Sequence, residues 1–305
     1  MKSNPYPSRI LSLASACLSL FFNIPAARSA VVTWDGAGPD GKWQTGLNWV
    51  GGNPPGAGDS LVFTGNIQPV STNNFGPGTQ FSGIAFNNPA GIFNLSGNSV
   101  TLAGNISDSQ VVSTETIGLS LALPAICNLD VTTSGALTIS GVVSGAGGIT
   151  KVDGGLLTLS GANTFTGGLT INGGTVAITS DGNLGKIPAA ATPGSIVING
   201  STLRTSGSFT IATNRGLALG PVTGAGSGTI SVNVGNTTTY RGVMANAGTN
   251  GGLNKLSFGG LTLAGANTYT GPTLVSNGTV TLDFTATTAP TNNIVNANSS
   301  LALGG

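Results

Sequence analysis

A repeat constrains this chain more than any other feature. The segment Gly147–Ile178 returns as Gly251–Leu282 without a gap, and half of the aligned positions are identical. The best-matched part reads GLLTLSGANTFTGG in the first copy and GGLTLAGANTYTGP in the second. Self-similarity at a fixed period indicates stacked units that each bury an apolar face against the next. The sequence therefore predicts a stack of such units.

Composition indicates that the stacked units are made of β-strands. Glycine accounts for 50 of the 305 residues, charged residues for only 6%, and histidine is absent. A disordered chain would combine low hydrophobicity with high charge, and a collagen would place glycine at every third position; this chain does neither. Apolar residues instead alternate with threonine or alanine, which turns one face of a short strand inward. The predicted inward residues include Leu157, Leu159, Val176, Ile178, Leu261, Leu263, Val280 and Leu282, with Thr158 and Thr262 pointing outward.

The loops between these strands favour one fold class. Gly161–Gly167 and its copy Gly265–Gly271 are longer than the two-residue turns that join antiparallel partners in a sandwich or barrel. We therefore predict an all-β fold, a right-handed parallel β-helix (β-solenoid), because parallel crossovers are right-handed in the great majority of cases. A coil of about 20 residues would give about 13 coils, with about five coils in each repeat period.

The N-terminus is predicted to be a signal peptide over residues 1–29. A basic start precedes Ile10–Ile24, an apolar run that is too short for a membrane span. Small residues then lead up to a predicted cleavage site after Ser29. The mature chain is therefore expected to be secreted or held at the cell surface, with no transmembrane domain.

Residues 30–63 differ from everything that follows. They hold all three tryptophans, Trp34, Trp43 and Trp49, among dense glycine and proline. The terminal unit of a stack must be atypical because one of its faces has no neighbour. We therefore predict an N-terminal cap whose tryptophans cover the first coil; the alternative is that the three rings form a platform for a glycan. Residues 64–305 are predicted to form the β-helix repeats, with a third unit that is cut off at the C-terminus.

The residues that catalysis and metal binding require are scarce. The absence of histidine excludes Ser-His-Asp and Cys-His catalysis and histidine-containing zinc sites. The nine acidic residues are scattered, and only Asp130 and Asp153 are spaced so that they could stack on neighbouring coils. Cys127, the only cysteine of the mature chain, is predicted to be buried and unreactive. We expect a protein that is not an enzyme and that needs no cofactor and no metal.

The repeated motif resembles a known family. The pattern Gly-Leu-Thr-Leu-Ser/Ala-Gly-Ala-Asn-Thr-Tyr/Phe-Thr-Gly, followed by Gly-Thr-Val, is similar to the autotransporter-associated β-strand repeat, also called the passenger-associated transport repeat. The lead-ins Gly147–Lys151 and Gly251–Lys255, the stretch Asn214–Gly220 and the segment Trp34–Trp49 resemble that family too. The resemblance covers nearly all of the mature chain. It implies a right-handed parallel β-helix in an exported bacterial passenger, in which the repeat assists secretion across the outer membrane.

Six positions of the motif are predicted to be structural: Asn163, Phe165, Gly167, Asn267, Tyr269 and Gly271. Each asparagine is expected to hydrogen-bond the backbone of its own turn, with the aromatic ring covering that corner; the alternative is a sugar or ion contact. Lys151 and Lys255, at matching positions of the lead-ins, are expected to stay solvated.

Three functional hypotheses remain. The first is an exported surface or passenger repeat protein with a structural role that assists autotransporter-type secretion. The second is a carbohydrate-binding or adhesive surface module, and the third is a polysaccharide-degrading β-helix enzyme. The expected partners are outer-membrane export machinery or surface glycans. Nucleic acid is not expected, because the mature chain sets seven basic residues against nine acidic ones and offers no basic patch.

Overall fold

The computed structural model of the chain describes residue 1 and residues 29–111, 114–287 and 289–304, with the backbone only at residues 89 and 90. The predicted signal peptide therefore lies almost wholly outside the described residues. The described part forms two short 3-10 turns, Gly46–Asn48 and Asp181–Leu184, and no helix there has the length and apolar character that a membrane span requires. The strands are β1 (Val31–Trp34), β2 (Ser60–Gly65), β3 (Val70–Asn73), β4 (Thr79–Phe81), β5 (Gly83–Ala90), β6 (Asn94–Gly97), β7 (Val100–Leu102), β8 (Ile106–Asp108), β9 (Thr114–Ile117), β10 (Leu121–Ala122), β11 (Cys127–Val131), β12 (Ala136–Ile139), β13 (Val143–Ser144), β14 (Ile149–Val152), β15 (Leu156–Leu159), β16 (Leu169–Ile171), β17 (Thr175–Ile178), β18 (Thr192–Ile198), β19 (Thr202–Thr205), β20 (Phe209–Ile211), β21 (Arg215–Leu219), β22 (Gly226–Val232), β23 (Thr237–Tyr240), β24 (Met244–Asn246), β25 (Gly251–Leu256), β26 (Gly260–Leu263), β27 (Thr273–Val275), β28 (Thr279–Leu282) and β29 (Leu301–Leu303).

The strands stack into a three-faced solenoid. One face is a ten-stranded sheet in the order β1-β2-β5-β8-β11-β14-β16-β18-β21-β24, and the second is an eleven-stranded sheet in the order β3-β6-β9-β12-β15-β17-β19-β22-β25-β27-β29. The third face holds two four-stranded sheets, β4-β7-β10-β13 and β20-β23-β26-β28. Every pairing between these strands is parallel. The predicted parallel β-solenoid is confirmed, and the antiparallel alternative is wrong.

One turn of the solenoid visits the ten-stranded sheet, the eleven-stranded sheet and then the third face. Strands β11, β12 and β13 make one such turn over residues 127–148. The described residues complete about ten turns, so the predicted number of about 13 was too high. The difference arises because residues are also spent in the corners and in excursions such as residues 185–191, which precede β18.

The core lies inside this tube and is filled by the inward residues of each alternation. Six of the eight predicted residues are buried, namely Leu157, Leu159, Val176, Ile178, Leu261 and Leu263. Val280 is only partly buried, and Leu282 is 38% exposed, so the prediction was wrong for Leu282. The reason is that both residues belong to β28, an edge strand of its sheet, which has no neighbour on one side.

Aromatic rings cover the N-terminal end of the tube. Trp34 and Trp43 are 0% exposed and Trp49 is 1% exposed, and each indole N–H donates a hydrogen bond within the protein. The ring centroid of Phe63, in the first coil, lies within 6.0 Å of the ring centroids of all three indoles. Because these rings are buried, they expose no face on which a sugar could stack, and the glycan platform does not fit this structure. The predicted boundary at residue 63 falls inside β2, so the cap and the first coil share a sheet.

The two copies of the repeat lie on different faces of the solenoid. In the first copy β14 belongs to the ten-stranded sheet and β15 to the eleven-stranded sheet. In the second copy the corresponding strands are β25, in the eleven-stranded sheet, and β26, on the third face. Four steps along the ten-stranded sheet lead from β14 to β24, and β25 lies one face further on. The period is therefore four turns and one face rather than the predicted five coils.

Candidate functional site: the repeated corner

The asparagine of the first repeat ties three successive coils together. Asn163 lies between β15 and β16 and is 4% exposed. Its Oδ1 accepts a hydrogen bond from the backbone N–H of Val143, in the preceding coil, at 2.8 Å. Its Nδ2 donates to the backbone carbonyl of Asn183, in the following coil, at 2.7 Å. One amide therefore satisfies a buried donor and a buried acceptor that the parallel ladder leaves unpaired.

The second repeat builds the same bridge. Asn267 lies between β26 and β27, is 4% exposed, accepts from the N–H of Met244 at 2.8 Å and donates to the carbonyl of Ile294 at 2.8 Å. The expectation that each asparagine bonds its own turn was wrong, because both side chains reach along the solenoid axis to the coils on either side. They are structural bridges rather than exposed contacts for a sugar or an ion.

The aromatic residue two positions later is a core residue. Phe165 is 1% exposed and Tyr269 is 0% exposed. The Tyr269 hydroxyl lies 2.7 Å from Thr273 Oγ1, which in turn lies 3.0 Å from Ser299 Oγ. Burial raises the pKa of Tyr269 above its ordinary value. The phenol thus keeps a hydrogen-bond partner in the interior, which is what a buried tyrosine requires.

The glycine at the end of the motif sits where two coils touch backbone to backbone. The N–H of Gly167 donates to the carbonyl of Gly147 at 2.9 Å, and the N–H of Gly271 donates to the carbonyl of Gly251 at 2.9 Å. A Cβ atom on Gly167 would lie 2.5 Å from the carbonyl carbon of Gly147, and one on Gly271 would lie 2.6 Å from that of Gly251. These positions therefore exclude any side chain.

The two lead-in lysines are buried, which corrects the expectation that they stay solvated. Lys151 is 0% exposed, and its ammonium group donates to the backbone carbonyls of Val152 and, at 2.9 Å, Asp153. Asp153 has a φ of 59°, a left-handed conformation that is uncommon outside glycine. The ammonium group therefore caps a corner whose carbonyls turn inward.

Lys255 repeats this arrangement in the second copy. It is 0% exposed and donates to the carbonyls of Leu256, Ser257 and Asn277 at 2.8, 2.7 and 3.2 Å. Ser257 has a φ of 62°, which matches the left-handed residue of the first copy. The motif thus carries a lysine-capped corner in addition to the asparagine bridge.

Burial makes these ammonium groups easier to deprotonate. Desolvation lowers the pKa of Lys151 to about 8, although the nearby charges of Asp153 and Asp130 act in the opposite direction. Desolvation also lowers the pKa of Lys255. The alternation of the strand indicates that Lys151 is buried, because Lys151 follows the buried Ile149 by two residues and therefore shares its inward face.

An arginine that sequence reasoning did not single out anchors the coil that follows the first repeat. Arg215 is 2% exposed, and its guanidinium pairs with the carboxylate of Asp181, with Nε 2.9 Å from Oδ1. Its other N–H groups donate to the carbonyls of Leu184, Lys186 and Gly185 at 3.1, 3.2 and 2.7 Å. The planar fork of arginine can serve these converging acceptors, and the point charge of a lysine cannot.

The groups with potential for chemistry remain apart. Asp130 stands opposite Val152 in the sheet register rather than opposite Asp153, so the two acids, whose spacing would have allowed them to stack, are not paired. Cys127 is 1% exposed, as predicted, and burial raises the pKa of its thiol to about 12. Burial also raises the pKa of Asp108 to about 6. Among the described residues no three histidine, cysteine or carboxylate side chains are grouped as a metal site.

Comparison with protein families identifies the repeated corner. A family model described as the passenger-associated-transport-repeat matches residues 149–178 and 253–282. The chain contains two passenger-associated transport repeats. Each transport repeat spans one lysine-capped corner, one asparagine bridge and the glycine contact, so the sequence resemblance and the geometry coincide.

A comparison with curated proteins places the transport repeats in a longer context. The chain is 34% identical over 277 residues to the adhesin BmaC autotransporter of Brucella suis biovar 1 (strain 1330). The aligned region covers 85% of this chain and 7% of that adhesin, so the chain corresponds to a small part of the relative's length. A comparison with solved structures gave no match.

Proposed function

We propose that this chain is part of the passenger of an exported bacterial surface protein, in which it acts as a stiff, adhesin-like β-solenoid and not as an enzyme. The observation that carries the proposal is the repeated corner: one buried asparagine in each transport repeat ties the backbones of the preceding and following coils. The similarity to an autotransporter adhesin supports a place outside the cell, either secreted or at the surface. The signal peptide predicted over residues 1–29 supports the same destination.

The proposed contribution to export follows from how such a solenoid folds. Each coil contacts mainly its neighbours, so folding can start at one end and propagate coil by coil. The coil over residues 149–168 buries four large apolar side chains, those of Ile149, Leu157, Leu159 and Phe165. Each contributes about 1.5–3 kcal/mol of apolar burial before the entropy of ordering is subtracted. A coil that folds outside the outer membrane therefore opposes the return of the chain, and the asparagine bridge locks that coil to its neighbours.

The proposed partner during this process is the outer-membrane export machinery. A structural role needs no catalytic group, and the scattered carboxylates and the buried thiol of Cys127 are consistent with a non-enzymatic protein.

The test compares two deletions that each remove one whole turn. Deletion of residues 149–168 removes β14, β15 and the Asn163 corner, whereas deletion of residues 127–148 removes a turn outside the transport repeat. Both deletions start and end on the ten-stranded sheet, so every later strand keeps its face. The two variants are fused to the same cargo, and the surface display of that cargo is measured by its accessibility to an added protease.

We expect deletion of residues 149–168 to reduce display severalfold more than deletion of residues 127–148. Circular dichroism of the purified variants shows whether each remains a β-solenoid. Equal display from two folded variants would refute the role of the repeat in export and leave a passive spacer.

A further inference from the structure

The outer surface of the ten-stranded sheet carries an open groove that the export role does not use. Its first part has a volume of about 350 Å³ and crosses β1, β2, β5 and β8. Its second part has a volume of about 600 Å³ and crosses β8, β11 and β14 as far as the residue that follows β16. The two parts share Asn105 and Ser107, so they form one continuous surface. At about 4.8 Å between strands, a groove from β2 to β16 is about 25 Å long.

Two parallel rows of side chains line the second part of this groove. Asn128 stands opposite Thr150 in one row. Asp130 stands opposite Ser107 on one side and Val152 on the other in the second row. Because the strands are parallel and in register, each row repeats at the strand spacing along the solenoid axis.

The polar groups of these rows are available to a ligand. Within the described residues, the side chains of Ser107, Asn128, Asp130 and Thr150 make no hydrogen bond to another part of the chain. The neighbouring side chain of Asn105 is already engaged, because its Oδ1 accepts a hydrogen bond from the backbone N–H of Asn128 at 3.0 Å. The backbone groups of the central strands are already paired in the parallel ladders, so an incoming peptide cannot add to this face as a further strand.

The chemistry of the groove selects one class of ligand. Hydroxyl and amide groups can both donate to and accept from the hydroxyls of a sugar, and the carboxylate of Asp130 can accept from them. Gly83 and Ala85, in the first part of the groove, offer a flat, weakly polar surface that suits the C–H face of a sugar ring. Among the described residues, Asp130 is the only charged side chain that lines either part, so this lining repels polyanions and offers no group to attract them.

We propose that this groove binds an uncharged polysaccharide that runs along the solenoid axis. No aromatic ring of the described residues lines the groove, so each sugar contributes little and binding depends on several sugars engaging successive strands together. The inference goes beyond the proposed export role, because a solenoid can be exported and displayed without binding a glycan.

The test is affinity electrophoresis of the full mature chain through gels that contain dextran, laminarin, mannan or alginate. We expect retardation by at least one of the three neutral polymers and none by alginate, which is a polyanion. Replacing both Asn128→Ala and Asp130→Ala should raise the apparent dissociation constant about tenfold, since two hydrogen-bonding side chains are lost.

The matched control replaces Thr138→Ala and Thr158→Ala, two outward residues of the eleven-stranded sheet that stand opposite each other. We expect this control to bind within about twofold of the wild type. The two positions of the groove variant, Asn128 and Asp130, and the two positions of the control all lie on the outer surface. Circular dichroism checks that each variant is folded. The proposal is overturned if no neutral polymer binds, if alginate binds as strongly, or if the control loses as much affinity as the groove variant. Retardation by unfolded casein but by no polysaccharide would assign the groove to peptides and also overturn it. Surface display is measured separately, so these outcomes leave the export role untouched.

Discussion

Asn163 should be among the costliest polar side chains to remove from this protein. In Asn163→Ala the N–H of Val143 and the carbonyl of Asn183 both lose their partner. A buried polar group left without a partner costs about 1–3 kcal/mol, so the two together should lower the free energy of unfolding by about 2–5 kcal/mol. With a urea m value of about 3 kcal/mol/M, the midpoint should fall by about 1 M.

The assay is urea unfolding followed by far-UV circular dichroism, with Asn94→Ala as the control. Asn94 is exposed on β6, and its replacement should change the stability by no more than about 0.5 kcal/mol. Tryptophan fluorescence reports the N-terminal cap alone, whereas circular dichroism reports the whole solenoid. A weakened bridge should therefore also make the unfolding curves from the two measurements diverge, as expected of a stack whose two halves unfold separately. If Asn163→Ala and Asn94→Ala unfold at the same urea concentration, the bridge does not hold the coils together.

The bridge also makes a prediction about pH through Asn163→Asp. The aspartate would present one oxygen to the Asn183 carbonyl, and only its protonated form can donate there. Its folded pKa should therefore lie above the unfolded value of about 3.9, so the stability it contributes is complete below that pH and is lost as the pH rises. Urea midpoints of the variant at pH 3.5 and 7, each relative to the wild type, check this sign. A larger deficit at pH 3.5 than at pH 7 would contradict it.

Three further predictions concern the other buried groups. Burial lowers the pKa of Lys151 in the folded protein to about 8, against an ordinary 10.5. Between these two pH values the free energy of unfolding of the wild type should therefore rise relative to that of Lys151→Met. If urea titrations show that the difference between the two proteins stays constant with pH, the burial of Lys151 is contradicted. Arg215→Lys should cost about 3–5 kcal/mol, because Asp181 and several carbonyls lose a planar partner, and limited proteolysis should then cut residues 185–191 faster than in the wild type. Gly167→Ala should lower the melting temperature by several degrees, whereas Gly76→Ala, which meets no atom within 4 Å, should not; equal melting temperatures would show that the two coils can separate at no cost.

The sequence was sufficient to predict the fold because its pattern is local. Alternations such as Leu157-Thr-Leu159 fix which face of a strand is buried, and the gapless repeat fixes that coils stack. The number of turns was not predictable in the same way. Corners and excursions such as residues 185–191 vary in length, and no short-range pattern records how many residues a corner uses.

The site was only partly predictable because its key contacts join different coils. The six motif positions were identified from the repeat, but the partners of Asn163 lie about twenty residues away on either side, where local turn rules do not reach. For Lys151 the general rule that charged residues stay in water gave the wrong answer. The alternation of its strand, in which Lys151 shares the inward face of Ile149, would have indicated the burial that is observed, where the ammonium group finds backbone carbonyls at the corner.

The direction of the hydrogen bonds has a mechanical consequence. In this solenoid the ladder bonds run along the long axis, and so do the amide bridges of Asn163 and Asn267. A force applied to the two ends therefore loads one coil interface at a time, in the manner of a zipper, instead of shearing many strands at once. A released coil such as residues 127–148 would supply about 75 Å of extended chain in place of about 4.8 Å of rod. A surface tether of this construction would yield to flow in steps, with its firmest steps at the bridged coils.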